Sequence, residues 1–577
     1  MLSHLHPQRV IVFSDNKTGT GEREMGVRMN SRWMQWFLVL LLAAALNLSP
    51  SLSGAATPEK KPAKGEEYGA SHFKNFTADH SKFDVLKQEF KSGPEVTKAC
   101  LSCHTEAGQQ FQKTLHWKWK SPADPDGKIG KGGLVVNNYC VSIHSNEPRC
   151  TSCHAGYGWK DKTFDFSAQE KIDCLVCHEQ TGTYEKFPTM AGNPVSEPTL
   201  FPMENKTYNP PEWNKVAQSV GLPTRKNCGT CHFFGGGGEG VKHGDLDSSM
   251  FKPNRALDVH MAMEGENFNC TRCHTTEKHQ VSGRHYNVSA TEDRRSLLES
   301  DIIKRITCVS CHTEKPHKPG VKANDHTDKV ACQTCHIPEF ARVNSTKMSW
   351  DWSKAGERQD GKPIKKLQDG RPVYDGMKGV FRWEKNVKPE YYWYNGVMRN
   401  VLLTDKIDPG KVTKLNYPEG NVQDPKSRIY PFKVHNGKTP YDKVHKTMVV
   451  PKIFGPKGSG AYWGDYDWKT AITKGMEYAG LPFSGEFDFT ETQYMFQTTH
   501  MVAPKEKSVS CTECHSSNGR LAKLGGFYMP GRDSNRALNV IGWGSVIVAL
   551  IAVLGHGAGR LVSRKRREKK NEQRDDE

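Results

Sequence analysis

The chain has 577 residues, a formal net charge of +17 and a mean hydropathy of −0.69. Only 36% of the residues are hydrophobic, which is a small apolar supply for a chain of this length. A charged content of 25% is ordinary and excludes wholesale disorder. The 17 cysteines and 24 histidines fall in clusters, which excludes a plain globular enzyme and indicates that bound groups fill part of the interior.

The first 56 residues predict an amino-terminal extension followed by a secretory signal peptide. Arg28 and Arg32 form a basic region, an apolar run covers residues 36–46, and small residues lead up to Ala56. This order is typical of an exported protein. A signal anchor that is retained is the alternative interpretation.

The motif Cys-x-x-Cys-His occurs eight times and is the signature of c-type haem attachment. Two thiols at this spacing form thioethers with a haem, and the adjacent histidine binds its iron. Zinc ribbons and disulfides are the alternatives, but zinc does not require a histidine after every cysteine pair. The predicted attachment residues are Cys100, Cys103, Cys150, Cys153, Cys174, Cys177, Cys228, Cys231, Cys270, Cys273, Cys308, Cys311, Cys332, Cys335, Cys511 and Cys514. The predicted proximal iron ligands are His104, His154, His178, His232, His274, His312, His336 and His515.

We therefore expect eight covalently attached haems, which would supply iron and the missing apolar core. Their propionates would offset most of the basic charge, so nucleic acid is not an expected partner. Enough histidines remain for a second histidine on every iron, and such irons carry electrons without binding substrate. The predicted distal ligands are His116, His260, His279, His317, His326, His435 and His500.

Two segments outside the motifs are unusual. Cys140 is the one cysteine outside the motifs, and it ends the segment Asn137-Asn138-Tyr139-Cys140. Lys242 follows a run of four glycines at residues 235–238, which would let the backbone approach a haem closely. A neutral lysine amine can bind iron, and Lys226 is a weaker candidate. The alternatives are a buried small cysteine and a solvated lysine on a surface loop.

These two segments, together with the order of the motif spacings, resemble octahaem tetrathionate reductase over about residues 70–530. This family is related to hydroxylamine oxidoreductase and pentahaem nitrite reductase, and it reduces tetrathionate, nitrite and hydroxylamine. The resemblance implies one lysine-ligated haem and seven bis-histidine haems. It assigns the active haem to Cys150, Cys153 and His154, its distal ligand to Lys242, and its pocket to Asn137 and Cys140.

The carboxy-terminal part of the chain predicts a membrane anchor. Residues 537–561 form a transmembrane helix in this interpretation, because 537–559 contain no charged side chain and are long enough to span a bilayer. The basic tail at 562–577 would then be cytoplasmic and the rest of the chain periplasmic. A b-type cytochrome or quinol-oxidising subunit is the expected membrane partner.

We expect a mainly α fold with much irregular structure, organised around eight stacked haems, in a catalytic domain at residues 57–530. Residues 337–510 contain no motif and are expected to be irregular with a few short strands. The expected function is that of an exported, membrane-tethered reductase of small sulfur or nitrogen compounds. An electron-transfer relay from the quinone pool without its own substrate site and a hydroxylamine-type oxidase are the alternatives.

Overall fold

The computed structural model describes residues 78–121, 124–283 and 306–575. All of them belong to one compact unit, Lys60–Glu577. The predicted signal peptide lies outside the described residues.

The helices are mostly short and lie at the attachment motifs. In chain order they are α1 Gly93–Cys103, α2 Ala107–Phe111, α3 Leu115–Lys118, α4 Glu147–Cys150, α5 Leu175–His178, α6 Trp213–Gln218, α7 Arg225–His232, α8 Cys308–His312, α9 Cys332–His336, α10 Tyr462–Asp465, α11 Trp468–Ala479, α12 Cys511–Cys514 and α13 Arg536–Asp575. The fifth motif is on a 3₁₀ turn, Cys270–Arg272. A helical turn puts residues i, i+3 and i+4 on one face, so both cysteines and the histidine of a motif can meet the same group.

Local capping explains why several of these helices begin where they do. Thr224, Thr307 and Ser510 each form a capping box with the residue three positions later, directly before or near the fourth, sixth and eighth motifs. Such a box satisfies the free amide groups of the first turn. These motifs can therefore be helical even though each helix is too short to be stable alone.

The strands are concentrated in the segment that contains no motif. They are β1 Thr199–Phe201, β2 Lys206–Tyr208, β3 Thr276–Glu277, β4 Gln280–Val281, β5 Thr346–Asp351, β6 Arg358–Gln359, β7 Lys362–Pro363, β8 Lys365–Gln368, β9 Arg371–Asp375, β10 Gly379–Glu384, β11 Glu390–Tyr394, β12 Val397–Asn400, β13 Thr413–Lys414, β14 Asn416–Glu419, β15 Arg428–Asp442 and β16 Phe487–Gln497. Eight of them form one sheet in the order β13-β16-β15-β5-β10-β9-β8, with β11 also paired to β15.

This sheet is larger than the few short strands that the sequence predicts for residues 337–510. Its centre is β15, which pairs antiparallel with β16 from Phe432 opposite Gln497 to Asp442 opposite Phe487. It also pairs in parallel with β5. Strand β15 is buried on both faces but contains lysine, histidine, asparagine, glycine and proline, so its sequence lacks the apolar alternation of a typical strand.

The largest hydrophobic core packs against this sheet and includes the segment around Cys140. Tyr139 and Val141 lie in the same cluster as Trp350 of β5 and Trp352 of the 3₁₀ turn that follows β5. The indole of Trp352 donates a hydrogen bond of 2.5 Å to the carbonyl oxygen of Tyr139. The sheet therefore holds the Cys140 segment in place.

Helix α13 is the one described helix that is long and apolar enough to span a membrane, by length and composition. Its apolar side chains are exposed, including Trp543 and Val553, each 71% exposed. The helix continues past the predicted span into the basic tail, as far as Asp575.

Candidate functional site

One connected cavity of about 4060 Å³ runs along the attachment motifs. The cysteine pairs of seven motifs line it, and Leu101 of the first motif does so as well. A pocket for one small ligand has roughly 300–1,000 Å³, so this cavity has room for several prosthetic groups. Its size explains how a chain with few hydrophobic residues can enclose a large interior.

Six motif histidines each face a histidine from outside the motifs. With metal–nitrogen bonds of about 2 Å, two imidazoles on one metal have ring centroids about 6 Å apart. The observed centroid separations are 6.0–6.4 Å. The pairs are His104 with His80, His232 with His116, His312 with His260, His274 with His500, His336 with His317, and His515 with His326. These positions fit bis-histidine haems.

The third motif has a histidine neighbour of the same kind. Burial, followed by the charges of His178 and His104, lowers the pKa of His279. His178 directs its Nδ1 at the carbonyl oxygen of Gly221, at 2.9 Å. His274 and His515 make the same kind of bond, at 2.9 and 3.0 Å. A carbonyl partner at Nδ1 leaves Nε2 for a metal.

The second motif has different surroundings. His154 is fully buried among aromatic rings, with Trp117 and Trp159 at centroid distances of 5.1 and 4.9 Å. Its Nε2 lies 2.7 Å from the carbonyl oxygen of Trp117. Burial lowers the pKa of His154 to about 3, which keeps the imidazole neutral. If Nε2 of His154 bound an iron, the ring would have to give up its hydrogen bond to the carbonyl oxygen of Trp117.

Cys140 and Lys242 flank the two cysteines of this second motif. Burial, and then the charge of Cys140, raises the pKa of Cys150. Burial, and then the charge of Lys131, lowers the pKa of Lys242 to about 7, whereas Cys153 opposes this shift. An amine with such a pKa is partly neutral at neutral pH and can then bind a metal. The resemblance assigns four of these side chains, all but that of Lys131, to the active haem. In the structure all five line the same cavity.

The glycines before Lys242 let its loop pack closely. Gly236 has a φ of +83°, and a Cβ there would lie 3.3 Å from the Cβ of Lys242. The alternative candidate, Lys226, is placed elsewhere: its ammonium donates a hydrogen bond of 2.7 Å to the carbonyl oxygen of Gly182.

Asn137 shapes the turn that carries Cys140. Its side-chain amide donates to the carbonyl oxygen of Val141 at 2.9 Å, and its Oδ1 accepts from the amide of Tyr139 at 2.9 Å. Val141 has a φ of +68°, which is a strained conformation for a β-branched residue. Asn137 also lines the cavity. It therefore stabilises the strained turn at the site.

Buried lysines that the sequence analysis did not identify surround this site. Lys433 is 1% exposed, and its Nζ donates to the carbonyl oxygens of Val241 and Lys242 at 3.0 Å each and to Oγ1 of Thr346 at 2.6 Å. Lys347 is 4% exposed and lies in the same cavity wall. A lysine inside a strand has no sequence signal of burial, which is why neither was found.

A buried ion pair supports the backbone of the second motif. Nζ of Lys186 lies 2.9 Å from Oδ2 of Asp173 and donates to the carbonyl oxygen of His154. The hydroxyls of Tyr157 and Tyr184 donate to the same carboxylate at 2.7 and 2.9 Å. Both charges are therefore satisfied although they are removed from solvent.

Cysteines of different motifs lie close enough to interact, which indicates which motifs are neighbours. The interacting pairs are Cys100 with Cys174, Cys153 with Cys231, Cys177 with Cys228, Cys228 with Cys270, Cys273 with Cys311, Cys308 with Cys332, and Cys335 with Cys514. All the motifs except the second thus form one series in chain order. The second motif adjoins the fourth as a branch.

Comparison with known proteins decides the family. The crystal structure of octaheme cytochrome c from Shewanella oneidensis is 46% identical to this chain, with a TM-score of 0.68. The match covers 78% of this chain and 97% of that one. The chain belongs to the octahaem cytochrome c family. This confirms the predicted family, that of octahaem tetrathionate reductase-like multihaem cytochromes, and the predicted multihaem fold with its much irregular structure.

Family models match three parts of this octahaem cytochrome. They are "Cytochrome c554 and c-prime" at residues 99–179, "Cytochrome c7 and related cytochrome c" at 254–337, and "Cytochrome c bacterial" at 347–518. An uncharacterised protein of Archaeoglobus fulgidus is 27% identical over 258 residues, which is 37% of this chain and 84% of that protein. Covalently bound c-type haem, iron and a redox role follow from these likenesses.

The set of distal histidines needs one correction. His80 occupies the position beside His104, although the sequence analysis did not select it. His435, which it did select, packs instead against Tyr139 at 4.7 Å and directs Nδ1 at Oδ1 of Asn138 at 2.9 Å. His435 is fixed in this place because it belongs to the central strand β15. Neither histidine has a sequence spacing that reveals its neighbour.

Proposed function

We propose that this octahaem cytochrome is an exported, membrane-tethered reductase of sulfur or nitrogen compounds, such as tetrathionate, nitrite or hydroxylamine. Eight haems would be attached at the eight motifs, and the substrate would bind at the second. The observation that carries this proposal is the contrast between the motifs. The second shares its part of the cavity with Cys140 and Lys242, and the nearby His116 is paired with His232 of the fourth motif. Six of the other seven motif histidines face a non-motif histidine at 6.0–6.4 Å, and His178 of the third has His279 near it.

Seven haems would have two histidine ligands, with His80 replacing His435 in the predicted set. Such haems carry electrons and bind no substrate. Their motifs form a connected series with the second motif on the fourth, so electrons from either end could reach the substrate site. This arrangement supports a reductase with one site and a relay around it.

The residues at the second motif suit the reduction of small anions. The haem, when bound, supplies electrons at a site with one displaceable ligand. Lys242 would hold that position through a neutral Nζ, and once displaced it could hold a proton beside the substrate. The Nζ of Lys433 donates a hydrogen bond to the carbonyl oxygen of Lys242 and so holds its backbone in place. Two electrons would cleave the central bond of tetrathionate to two thiosulfate ions, and six would reduce nitrite to ammonium.

The experiment replaces Lys242 with alanine in the holoprotein, with Lys226→Ala as the matched control. We expect Lys242→Ala to change the ligation of one haem, seen by electron paramagnetic resonance, and to change turnover of tetrathionate, nitrite or hydroxylamine with a reduced dye. Lys226→Ala should change neither measurement. An unchanged spectrum and rate in Lys242→Ala would reject the assignment. Eight low-spin bis-histidine haems with no turnover would favour the relay without a substrate site.

A further inference from the structure

Lys347 is a buried lysine whose amino group lies in an aromatic cage. Its Nζ lies 3.9 Å from the ring centroid of Trp350, 3.7 Å from that of Phe381 and 5.0 Å from that of Trp383. Aromatic faces attract an ammonium group, most strongly where water is excluded. The cage therefore favours the charged form of a side chain that burial disfavours.

The negative charge near Lys347 is not enough to balance it. Burial, followed by the charge of Lys378, lowers the pKa of Lys347 well below 10.5, and Asp375 opposes this only weakly. Asp375 instead faces Lys378, with Oδ2 3.8 Å from its Nζ. Two lysines thus share one carboxylate. A buried charge without a full counter-charge is costly, so an anion beside these lysines would be stabilised.

Both lysines lie near the thiol of Cys140. Cys140 packs against the hydrophobic cluster that contains Trp350, and the ring of Trp350 contacts Nζ of Lys347. Burial raises the pKa of the thiol, whereas Lys378, Arg149 and Lys347 oppose the shift. Lys347, Lys378 and Cys140 all line the large cavity. The positive charge is therefore directed at the part of the cavity that contains the thiol. Packing alone would not explain why a second lysine, Lys378, lies beside Lys347 and Cys140.

We propose that Lys347 and Lys378 form an anion-binding subsite next to Cys140, which takes the terminal sulfonate of a polythionate-class substrate. This inference rests on the proposed function of the second motif. A sulfonate bound between the two ammonium groups would put the adjoining sulfur atoms of the substrate beside Cys140 and beside the haem attached at the second motif. Lys347 and Lys378 are then positioning residues that do not exchange protons or electrons with the substrate.

Alkylation of Cys140 in the mature holoprotein tests the subsite without turnover. Sixteen of the 17 cysteines belong to attachment motifs, so Cys140 is the thiol that a reagent would label. Iodoacetate is an anion and iodoacetamide is neutral, and the ratio of their rates measures attraction of anions to this thiol. The ratio also cancels any change in the thiolate fraction, because that change affects both reagents equally.

Loss of a cation from the cavity wall that also contains the thiol should lower this ratio by about tenfold or more. We expect this result for Lys347→Met and for Lys378→Met, whereas Lys347→Arg should retain most of the wild-type ratio. Lys414→Met is the matched control, since Lys414 is exposed on strand β13 of the same sheet. Unchanged ratios in both methionine variants would overturn the proposal. So would failure of both reagents to reach Cys140, because the subsite must be open to solutes.

Kinetics with three substrates separate this proposal from the proposed function. Lys347→Met should raise the KM for tetrathionate at least tenfold and the KM for nitrite by clearly less, with little effect on neutral hydroxylamine. An equal rise for nitrite would overturn the assignment to a sulfonate. If Lys242→Ala leaves the spectrum and turnover unchanged while the alkylation ratio still depends on Lys347, the proposed function fails and the anion site remains. If Lys242→Ala changes the spectrum and turnover while the alkylation ratio does not depend on Lys347, the subsite is rejected and the proposed function remains.

Discussion

Glu147 shows how one residue near the second motif is adapted to burial. It is 3% exposed, and its Oε1 accepts a hydrogen bond of 2.9 Å from the hydroxyl of Tyr478. Burial raises the pKa of this carboxyl group from 4.5 to about 7. The folded chain therefore holds the Glu147 proton more tightly than the unfolded chain does.

This difference predicts a pH-dependent loss of stability. Because the folded state binds the additional proton, stability decreases as the pH rises from 4.5 to about 7 and is constant beyond that. Glu147→Gln should remove this decline, which amounts to about 3 kcal/mol. Thermal unfolding of both holoproteins at several pH values between 4 and 8 measures it. Parallel curves for the two proteins would contradict the assignment.

The histidine positions give a second prediction at the residue scale. His80→Ala should leave one haem without its distal ligand, because His80 faces His104 at 6.4 Å. A high-spin signal from one haem in the electron paramagnetic resonance spectrum would report this. His435→Ala is the control and should produce no new high-spin haem. A new high-spin haem in His435→Ala would restore the original sequence prediction.

At the scale of elements, the loop that contains Lys242 depends on one side chain of the sheet. Lys433 of β15 donates to two carbonyl oxygens of that loop and to Thr346 of β5. An apolar residue there would leave buried acceptors without donors. Each such acceptor costs about 1–3 kcal/mol.

Lys433→Met should therefore loosen the loop at residues 235–245. We expect faster hydrogen exchange of its amides and a protein less stable by about 2–4 kcal/mol. Lys438→Met, five positions along the same strand and nearer to solvent, is the control. Hydrogen exchange followed by mass spectrometry checks the result, and equal exchange in the two variants would argue against the role of Lys433.

The elements differ in how far the sequence predicts them. The attachment turns follow from local chemistry, since thiols and a histidine must share one helical face. Cys140 and Lys242 were singled out as the cysteine outside the motifs and the lysine after four glycines, and the resemblance supplied their roles. Distances between remote residues are not encoded locally, so His80 was missed and His435 was chosen. The sheet was underestimated because β15 buries polar side chains on both faces, which removes the alternation that identifies a strand.

At the scale of the whole molecule, the exposed apolar surface of helix α13 predicts how the protein is held. We expect the chain truncated after residue 535 to be exported in soluble form with unchanged haem content. Full-length protein should remain with membranes, because the helix buries its apolar side chains there. Haem staining of the soluble and membrane fractions distinguishes the two forms. Truncated protein that stays in the membrane fraction would show that another part of the molecule, or a partner, holds it.

The large cavity also has a consequence for how the protein is made. Without its prosthetic groups the cavity would hold water, and its apolar walls would stay hydrated instead of being buried. Such a chain would lack much of the burial on which a net stability of only about 5–15 kcal/mol depends. We therefore expect the thioethers to form before the chain folds, so that each attachment motif is recognised by its local sequence. Folding would then follow attachment and depend on every group being in place.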